Sequence, residues 1–338
     1  KVIKYYKGLS MKKNKIIIFI LIIIFILVSS FSISKNNIYK KTNAENNDIV
    51  KIGVSQLIEH DALNLIYKGI EDELNKYYKN SSKKINIDYQ NAQGEQANCN
   101  TIAQKFVNDK KDIIIAIGTP PAQSAVNMTK NIPIIASGIG DPIGAKLVTN
   151  LNKPNANITG VINLPPIEKQ IELITKLLPN AKKIGLLYCS SEINSVYQIK
   201  LAKEKLDLLG LEYIDLTIAN ANEIQQMMLS AANKADVIFS PTDNIIASSM
   251  ANVAMIEESI KIPVVCADAG MTKIGGTITY SVDYYDIGVL TAKKTIEVLE
   301  NIKDIKNIPL EPSYNYNFVV NTNMIEKLGL KIPNNLYN

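Results

Sequence analysis

The chain of 338 residues contains no arginine and no tryptophan, and it has a single histidine, His60. Without arginine, a bound carboxylate must be held by backbone amides, hydroxyls, carboxamides or lysines rather than by a bidentate guanidinium. One histidine excludes histidine-rich metal sites, and a Ser-His-Asp triad would have to use His60, although no G-x-S-x-G sequence accompanies it. His60 is therefore a candidate for hydrogen bonding to a ligand, with a structural imidazole as the alternative.

The cysteines and glycines offer no metal or cofactor pattern. Cys99, Cys189 and Cys266 have neither metal-ligand spacing nor the spacing of a disulfide framework. The segment Gly138–Gly144 reads G-x-G-x-x-x-G with a proline inside, so it does not match a dinucleotide loop, and no Walker A sequence is present. We predict no cofactor, no metal site and no catalytic residue. The sequence leaves open whether Cys189 and Cys266 approach each other, and separate buried thiols fit it better.

The formal net charge of +5 comes largely from the N-terminus. Six lysines precede Ile16 and no acid occurs before Glu45, so removing these six charges leaves about −1 on the remaining chain. The six are Lys1, Lys4, Lys7, Lys12, Lys13 and Lys15. Because the remainder carries no basic excess, we expect no nucleic-acid partner.

Residues 1–34 have the pattern of an export signal. Residues 1–10 precede Met11, which is followed by lysines and is taken as the true start. Ile16–Val28 is continuously apolar and small residues follow it, as in secretory signals, although an uncleaved anchor is the alternative because the run nearly spans a bilayer. Residues 35–48 are rich in Asn and Lys, which predicts a disordered tether.

A β-α-β unit occurs twice in the chain. Asp112–Ser137 reads as an apolar β-branched run, a Thr-Pro turn that opens a helix, and a second apolar run after Ile-Pro, and Asp236–Asp268 repeats this order. Uninterrupted apolar strands are typical of a parallel sheet covered on both faces. The sequence therefore predicts an α/β protein with two similar, doubly wound parallel-sheet lobes joined by a hinge.

Individual elements follow from the same patterns. Strands are predicted at Ile113–Ile117 and Ile278–Val282, and helices at Ala122–Met128, Val196–Leu209 and Ile287–Leu299. The last of these helices is expected to return to the first lobe, and the strand after it to the second. Several crossings of this kind would make a hinge rather than a loose linker.

The domain boundaries are set by these crossings. We assign residues 49–161 and 283–307 to lobe 1, and residues 162–282 and 308–338 to lobe 2.

Polar residues mark the strand ends where a ligand is expected. In open parallel sheets, ligands bind beyond the carboxyl ends of the strands. Thr119 occupies such a position in lobe 1, and Thr242, Asp243, Asn244 and Asp268 occupy equivalent positions in lobe 2. The sequence therefore predicts a cleft between the lobes that is lined by strand-end loops.

The loop Ser190–Ser195 offers a candidate site for a carboxylate. It joins a strand to a helix and provides hydroxyls, a carboxamide and free amides, which together with the helix dipole stabilise an anion. Capping of the helix by Asn194 or Ser195 is the alternative, and one loop can do both.

Three acids at strand ends of lobe 2 could hold a ligand ammonium. Asp243, Asp268 and Asp283 are these acids, and the alternative for each is a helix cap or a solvated carboxylate. Tyr284 or Tyr285 could offer a ring to an apolar ligand, but adjacent residues of a helix cannot both face one point. A site for one zwitterion is the resulting prediction.

An ordered series of motifs over Val50–Leu330 resembles the ABC-transporter substrate-binding proteins of the tryptophan/tyrosine-binding type. The motifs that carry the resemblance are Glu59-His60-Asp61-Ala62-Leu63, Asp88–Gly94, Ile102–Val107, Pro165–Gln170, Leu178–Gly185, Pro241-Thr242-Asp243-Asn244 and Val282-Asp283-Tyr284-Tyr285. The resemblance implies a type I periplasmic-binding-protein fold with a free aromatic amino acid, tyrosine, tryptophan or phenylalanine, in the cleft. It also implies delivery by a monomer to a membrane permease with a cytoplasmic ATPase.

The resemblance carries over a set of candidate ligand-binding residues by their loop positions. They are His60, Thr119, Ser191, Asn194, Ser195, Thr242, Asp243, Asn244, Asp268 and Asp283. Which aromatic side chain fits stays open, because discrimination between rings depends on the shape of the pocket.

The resemblance also bears on how the protein is held at the cell surface. Such receptors in one-membrane bacteria look like lipoproteins with a Cys at the end of the signal, and here Leu27-Val28-Ser29-Ser30 has Ser in that place. We expect an exported protein on the outer face of the membrane, held by an uncleaved helix or a lipid anchor, or released. The alternatives are an anchored extracellular ligand sensor with the same fold, or a two-lobe enzyme such as a racemase or glycosyl transferase, against which the export signal argues.

Overall fold

The computed structural model of the chain describes residues 49–337, without the side chains of residues 335 and 337. The predicted signal, residues 1–34, and tether, residues 35–48, lie outside the described residues. Val50–Ser81 and Ile85–Asn338 form one compact unit, and a second takes in Ile49 and Ser82–Lys84 from the described residues. No helix within residues 49–337 is long and apolar enough to cross a membrane.

The first sheet, which defines lobe 1, is built on buried strands. Its strands are β1 (Ile49–Gln56), β2 (Lys84–Asn91), β3 (Ile113–Ile117), β4 (Ile134–Ile139), β5 (Ile158–Ile162) and β11 (Glu311–Pro312). The strand order is β11-β5-β4-β3-β1-β2, and the pairs from β11 through β1 are parallel. Every residue of β3 and β5 is buried, as expected for strands covered on both faces.

Helices cover both faces of this sheet. They are α1 (Asp61–Tyr78), α2 (Gln96–Asn108), α3 (Thr119–Met128) and, from the far end of the chain, α10 (Tyr284–Leu299). Helix α10 packs against α1 with its side chains Ile287, Ala292 and Ile296 in the lobe 1 core, so this segment of the chain returns to lobe 1.

Two glycines allow α1 and α10 to approach closely. A Cβ added at Gly69 would clash with the carbonyl oxygen of Tyr285, and one added at Gly288 would clash with the carbonyl oxygen of Ile66. Because both contacts are with backbone atoms, neither can be relieved by a side-chain rotation. The two helices must therefore separate if either glycine is replaced.

Gly288→Ala is expected to destabilise the protein by about 1–3 kcal/mol, the usual cost of overpacking a tight interface. Urea denaturation of the wild type and the variant measures this difference. Lys293→Ala, on the exposed face of the same helix, is the control and should change the unfolding free energy by less than about 0.5 kcal/mol. Equal stability of Gly288→Ala and the wild type would show that the helices do not meet at these glycines.

The second sheet defines lobe 2. Its strands are β6 (Lys183–Cys189), β7 (Glu212–Ile218), β8 (Val237–Ser240) and β9 (Val264–Cys266), all parallel in the order β7-β6-β8-β9. A separate antiparallel pair joins β10 (Ile278–Val282) to β12 (Tyr316–Val320). Phe239 faces one hydrophobic core of this lobe, and its neighbour Ile238 faces a second, so the sheet is again buried on both sides.

The helices of lobe 2 follow its strands. They are α4 (Ile167–Leu177), α5 (Ile193–Leu209), α6 (Ile224–Ala231), α7 (Asn244–Ser248), α8 (Met250–Ile260), α9 (Ala269–Ile274) and α11 (Thr322–Lys327). Short 3₁₀ turns occur at Ala221–Glu223, Ile305–Asn307 and Asn334–Tyr337. Cys99, Cys189 and Cys266 are buried free thiols, which confirms the interpretation of separate thiols.

One predicted boundary needs correction. The sequence placed the final return to lobe 2 at residue 308, but Leu310 packs in the lobe 1 core and Glu311–Pro312 pairs with β5. The reason is that this short strand extends the first sheet before the chain leaves it. Within residues 49–337 the chain passes between the lobes after β5, between β10 and α10, and between β11 and β12.

Candidate functional site

Loops at the carboxyl ends of strands from both lobes line one cavity. The cavity has a volume of about 20 Å³, so its walls lie close together and the lobes are closed over it.

Most of the candidate residues named from the sequence line this cavity. They are His60, Thr119, Asn194, Thr242, Asp243, Asn244 and Asp268. The structure thus brings together strand-end residues that lie far apart in the sequence, because parallel strands present their carboxyl ends at one edge of each sheet.

Ser191, Ser195 and Asp283 do not line the cavity. Ser191 is exposed, and its Oγ lies 3.1 Å from the sulfur of Cys189. Ser195 is fully buried within the first turn of α5. Asp283 accepts a hydrogen bond from the amide of Asp286 at 3.0 Å and caps α10, which is the alternative that the sequence left open.

Glu192 holds the lobe 2 side of the cavity together. Its carboxylate accepts hydrogen bonds from the amides of Asn244 and Ile245, at 3.1 and 3.0 Å, and from the side-chain amides of Asn244 and Asn194, at 2.6 and 3.1 Å. Burial, followed by the charge of Asp243, raises the pKa of Glu192 to about 8, against these donors. This side chain therefore occupies the N-terminal amides of α7, where a ligand carboxylate would otherwise bind.

Asp243 lines the cavity but is already engaged by the protein. One carboxylate oxygen accepts from the amide of Ile246 at 3.0 Å, capping α7, and the other accepts from the amide of Cys189 at 2.7 Å. Burial raises the pKa of this carboxyl, while the hydrogen bonds oppose the shift. Thr242 is also engaged by the protein, because its hydroxyl accepts from Gln198 Nε2 at 2.6 Å and its backbone amide donates to Gln198 Oε1 at 2.9 Å.

Asp268 is the acid of the cavity with the fewest bonds to the backbone. Its Oδ1 accepts from the amide of Met271 at 2.9 Å, and the phenol of Tyr284 donates to the carboxylate. Burial, then the charge of Asp268, raises the pKa of Tyr284 well above its usual value, so this phenol stays protonated. Because the phenol proton goes to Asp268, the Tyr284 oxygen accepts from Asn163 Nδ2 at 3.4 Å.

Two carboxamide oxygens of cavity-lining residues are buried acceptors. Asn163 and Asn194 line the cavity, and among the described residues neither Asn163 Oδ1 nor Asn194 Oδ1 has a hydrogen-bond partner. In each case the nitrogen of the carboxamide donates to the protein, to Tyr284 or to Glu192, which leaves the oxygen for a ligand. Buried acceptors of this kind are costly unless a donor reaches them.

The lobe 1 side of the cavity carries no acid among its lining residues. His60, Thr119 and the backbone of Gly118, Gly138 and Gly140 form this side. Burial lowers the pKa of His60, against the opposing effects of Asp268, Asn244 and other neighbours, so the imidazole is neutral at pH 7. Thr119 begins α3, where its hydroxyl and amide lie at the positive end of the helix dipole.

Apolar residues complete the lining. Leu63, Ala247 and Met271 contribute apolar surface, and Tyr284 contributes its ring. Tyr285 points elsewhere and donates to Asp72 at 3.1 Å, in agreement with the expectation that only one of the two tyrosines faces the site.

Some residues of the site were not singled out from the sequence. Asn163 directly follows β5, so the strand-end rule used for Thr119 would have found it. Glu192 lies within the loop already singled out, but its role depends on a helix that begins 52 residues later. Leu63 and Met271 follow the pattern of ordinary helix residues, and no sequence signal distinguishes them.

Two α/β lobes that close on one cavity define a ligand-binding receptor with a type I periplasmic-binding-protein fold, and this fold class is confirmed. A family model described as "ABC transporter substrate binding protein" matches residues 51–338. The chain belongs to this family.

Individual relatives are similar over most of their length. The chain is 36% identical to a tyrosine-binding protein of Clostridioides difficile (strain R20291) over 296 residues, covering 88% of this chain and 85% of that protein. It is 36% identical, with a TM-score of 0.81, to the crystal structure of an ABC domain in complex with L-Trp from Streptococcus pneumonia, covering 85% of this chain and 97% of that one.

A third relative is a structure in an open form. The ligand-free, open structure of a substrate-binding protein with adhesive properties from Clostridium difficile is 37% identical, with coverage of 84% and 96%, and its TM-score is 0.65. Although the sequence identities are nearly equal, this chain is thus more similar in structure to the L-Trp complex than to the open, ligand-free structure.

Proposed function

We propose that this protein is an extracytoplasmic receptor of an ABC importer that closes its lobes over one free aromatic amino acid. The observation that carries the proposal is a group of acceptors among the residues that line the cavity. Asp268 and the carboxamide oxygens of Asn163 and Asn194 offer a charge and two buried acceptors to a ligand ammonium. A primary ammonium has three donors, which matches this group.

The ammonium site involves one acid rather than three. Of the acids proposed from the sequence, Asp283 lies away from the cavity, and Asp243 already accepts two backbone amides. Asp268 is the acid that faces the cavity with capacity to spare, and burial strengthens its attraction for a cation.

The ligand carboxylate is proposed to bind on the lobe 1 side. Glu192 already accepts from the amides at the start of α7, so lobe 2 does not present them to a ligand carboxylate. Thr119 offers a hydroxyl and an amide at the start of α3, and this side of the cavity has no lining acid to repel an anion. The loop Ser190–Ser195 thus takes part through Asn194 and Glu192, rather than by holding the carboxylate as the sequence suggested.

The aromatic ring is proposed to lie against Leu63, Met271 and Tyr284. Relatives 36% identical to the chain are a tyrosine-binding protein and a structure with L-Trp, which supports an aromatic amino acid as the ligand. Closure follows from binding, because only in the closed form do both lobes touch the ligand.

Family membership supports the rest of the proposal. Proteins of this family are extracytoplasmic and hand a solute to a membrane permease driven by an ATPase, without chemical turnover. We propose that this chain works as a monomer on the outer face of the membrane, anchored or released. Uptake of a labelled amino acid by cells distinguishes a transport receptor from a sensor with the same cleft. Deletion of the gene abolishes this uptake only if the protein serves transport.

Calorimetric titration with L-tyrosine, L-tryptophan and L-phenylalanine tests the proposal. At least one should bind with a stoichiometry of one. Tyramine lacks the carboxylate of tyrosine, and 3-(4-hydroxyphenyl)propionate lacks its ammonium. Each should bind at least 100-fold more weakly than tyrosine, because each leaves buried polar groups of the cavity unpaired. Because the chain lacks tryptophan, bound L-tryptophan is the only indole emitter. Absence of heat with all three amino acids would defeat the proposal.

A further inference from the structure

A hydrogen bond between side chains connects the two lobes at the cavity. His60 follows β1 in lobe 1, and Asn244 begins α7 in lobe 2. His60 Nε2 lies 3.1 Å from Asn244 Oδ1. His60 precedes α1 without a side-chain capping bond, so its ring is free to reach across the cleft. This contact can exist only when the lobes are closed.

Glu192 fixes the direction of this bond. Asn244 Nδ2 donates to the Glu192 carboxylate at 2.6 Å, and the backbone amide of Asn244 donates to the same oxygen at 3.1 Å. The carboxamide oxygen of Asn244 must then face His60, and His60 must donate through a protonated Nε2. Glu192 is 6% exposed, and among the described residues its hydrogen bonds come from α5 and α7.

Closure also brings two acids together. A Cβ added at Gly270, at the start of α9, would lie 3.0 Å from Asp61 Oδ2 in lobe 1 and 3.1 Å from Asp268 Oδ1 in lobe 2, so both carboxylates lie beside this glycine. Two negative charges on opposite lobes oppose closure, and an attractive contact between the lobes offsets part of that repulsion.

We propose that His60, Asn244 and Glu192 form a closure latch that stabilises the closed form whether or not a ligand is bound. This inference rests on the proposed function in one respect, because the latch serves a receptor that closes over its ligand. Asn244 and Glu192 are positioning residues, because Glu192 orients Asn244 and Asn244 receives the proton of His60. The latch multiplies the apparent affinity for every ligand by the same factor, because binding requires the closed form.

The size of the effect follows from one interlobe hydrogen bond. In the open form both partners are solvated, so the net gain on closing corresponds to about a fivefold change in the ratio of closed to open molecules. His60→Ala should lower this ratio about fivefold. His60→Gln should restore most of it, because its side-chain nitrogen can donate to Asn244 Oδ1 from a similar distance along the chain.

The test measures closure in the full chain without ligand. Fluorophores attached at Lys130→Cys in lobe 1 and Leu208→Cys in lobe 2, both exposed positions, report the distance between lobes by energy transfer. The native cysteines are buried and should not label. The expected result is a smaller closed fraction in His60→Ala than in the wild type and recovery in His60→Gln. The same closed fraction in wild type and His60→Ala would overturn the latch.

A double-mutant cycle distinguishes loss of this hydrogen bond from a general disturbance of the structure by one substitution. Asn244→Ala and His60→Ala should each reduce the closed fraction, and the double variant should lose little more than either alone. Fully additive effects would mean that the two residues act separately, which also overturns the latch. Because closure is measured without ligand, this outcome is independent of whether an aromatic amino acid binds.

Discussion

Asp268→Asn is expected to weaken binding of the aromatic amino acid by about 100-fold, which corresponds to roughly 3 kcal/mol. The substitution removes the one acid of the cavity that has capacity for a ligand ammonium, and it leaves that ammonium buried without a counter-charge. Asparagine is as good a helix cap as aspartate, so α9 should keep its start and the fold its stability. Calorimetric titration compares the dissociation constants of the two proteins.

Asp283→Asn is the matched control. Asp283 is also an acid at a strand end that caps a helix, but it lies outside the cavity. Its replacement should leave the affinity within about twofold of the wild type. If both variants lost affinity equally, the ammonium would not be held by Asp268 in particular, and the assignment of the ammonium site would be wrong.

Glu257→Gln is expected to stabilise the protein by about 2–4 kcal/mol at pH 9 and to have little effect at pH 5. Glu257 in α8 is fully buried, its Oε1 accepts from the amide of Val264 at 2.7 Å, and its Oε2 has no hydrogen-bond partner among the described residues. Burial raises the pKa of Glu257 to about 9. The side chain therefore prefers to be protonated in the folded state.

The direction of the pH effect follows from proton binding. Between the unfolded value of 4.5 and the folded value of about 9, the folded protein holds a proton on Glu257 that the unfolded chain has lost. Stability contributed by this group is therefore lost as the pH rises through that window. Gln cannot ionise, so the difference in unfolding free energy between variant and wild type should grow with pH in urea denaturation curves.

Glu258→Gln supplies the control for this experiment. Glu258 is the next residue along α8, has a side chain that is 44% exposed, and forms an ion pair with Lys327 at 2.8 Å. The hydrogen bond from Lys327 lowers the pKa of Glu258, so its replacement should slightly reduce stability at neutral pH, and this small loss should disappear as the pH falls through the acidic range. Parallel pH profiles for Glu257→Gln and the wild type would contradict the prediction that Glu257 is buried as an acid.

The sequence predicted strands more accurately than helix starts. The limits of β3 and β10 agree with the predicted apolar runs, since a buried strand consists of little else. Helix α3 begins at Thr119 rather than at the predicted Ala122, because Pro120 and Pro121 are tolerated in a first turn, where no amide bond is needed. Helices α5 and α10 also begin three residues early, at Ile193 and Tyr284, ahead of the residues from which the pattern was read.

The position of the site was predictable from the sequence, but the roles of the individual residues within it were not. The strand-end rule brought Thr119, Asn194 and Asp268 to the same cavity without structural information. Asp243, Asp268 and Asp283 each cap a helix after a strand, so their sequence environments are equivalent. What separates them is how many donors each already has, and this depends on contacts between segments distant in the chain.

The dependence of lobe 1 on α10 has a consequence for biosynthesis. The apolar face of α1, including Ile66 and Ile70, is covered by a helix that is translated near the end of the chain. A nascent polypeptide that has released only its first 162 residues therefore lacks the partner for this face and cannot complete its core. Folding of lobe 1 can therefore finish only after the last long helix has been synthesised.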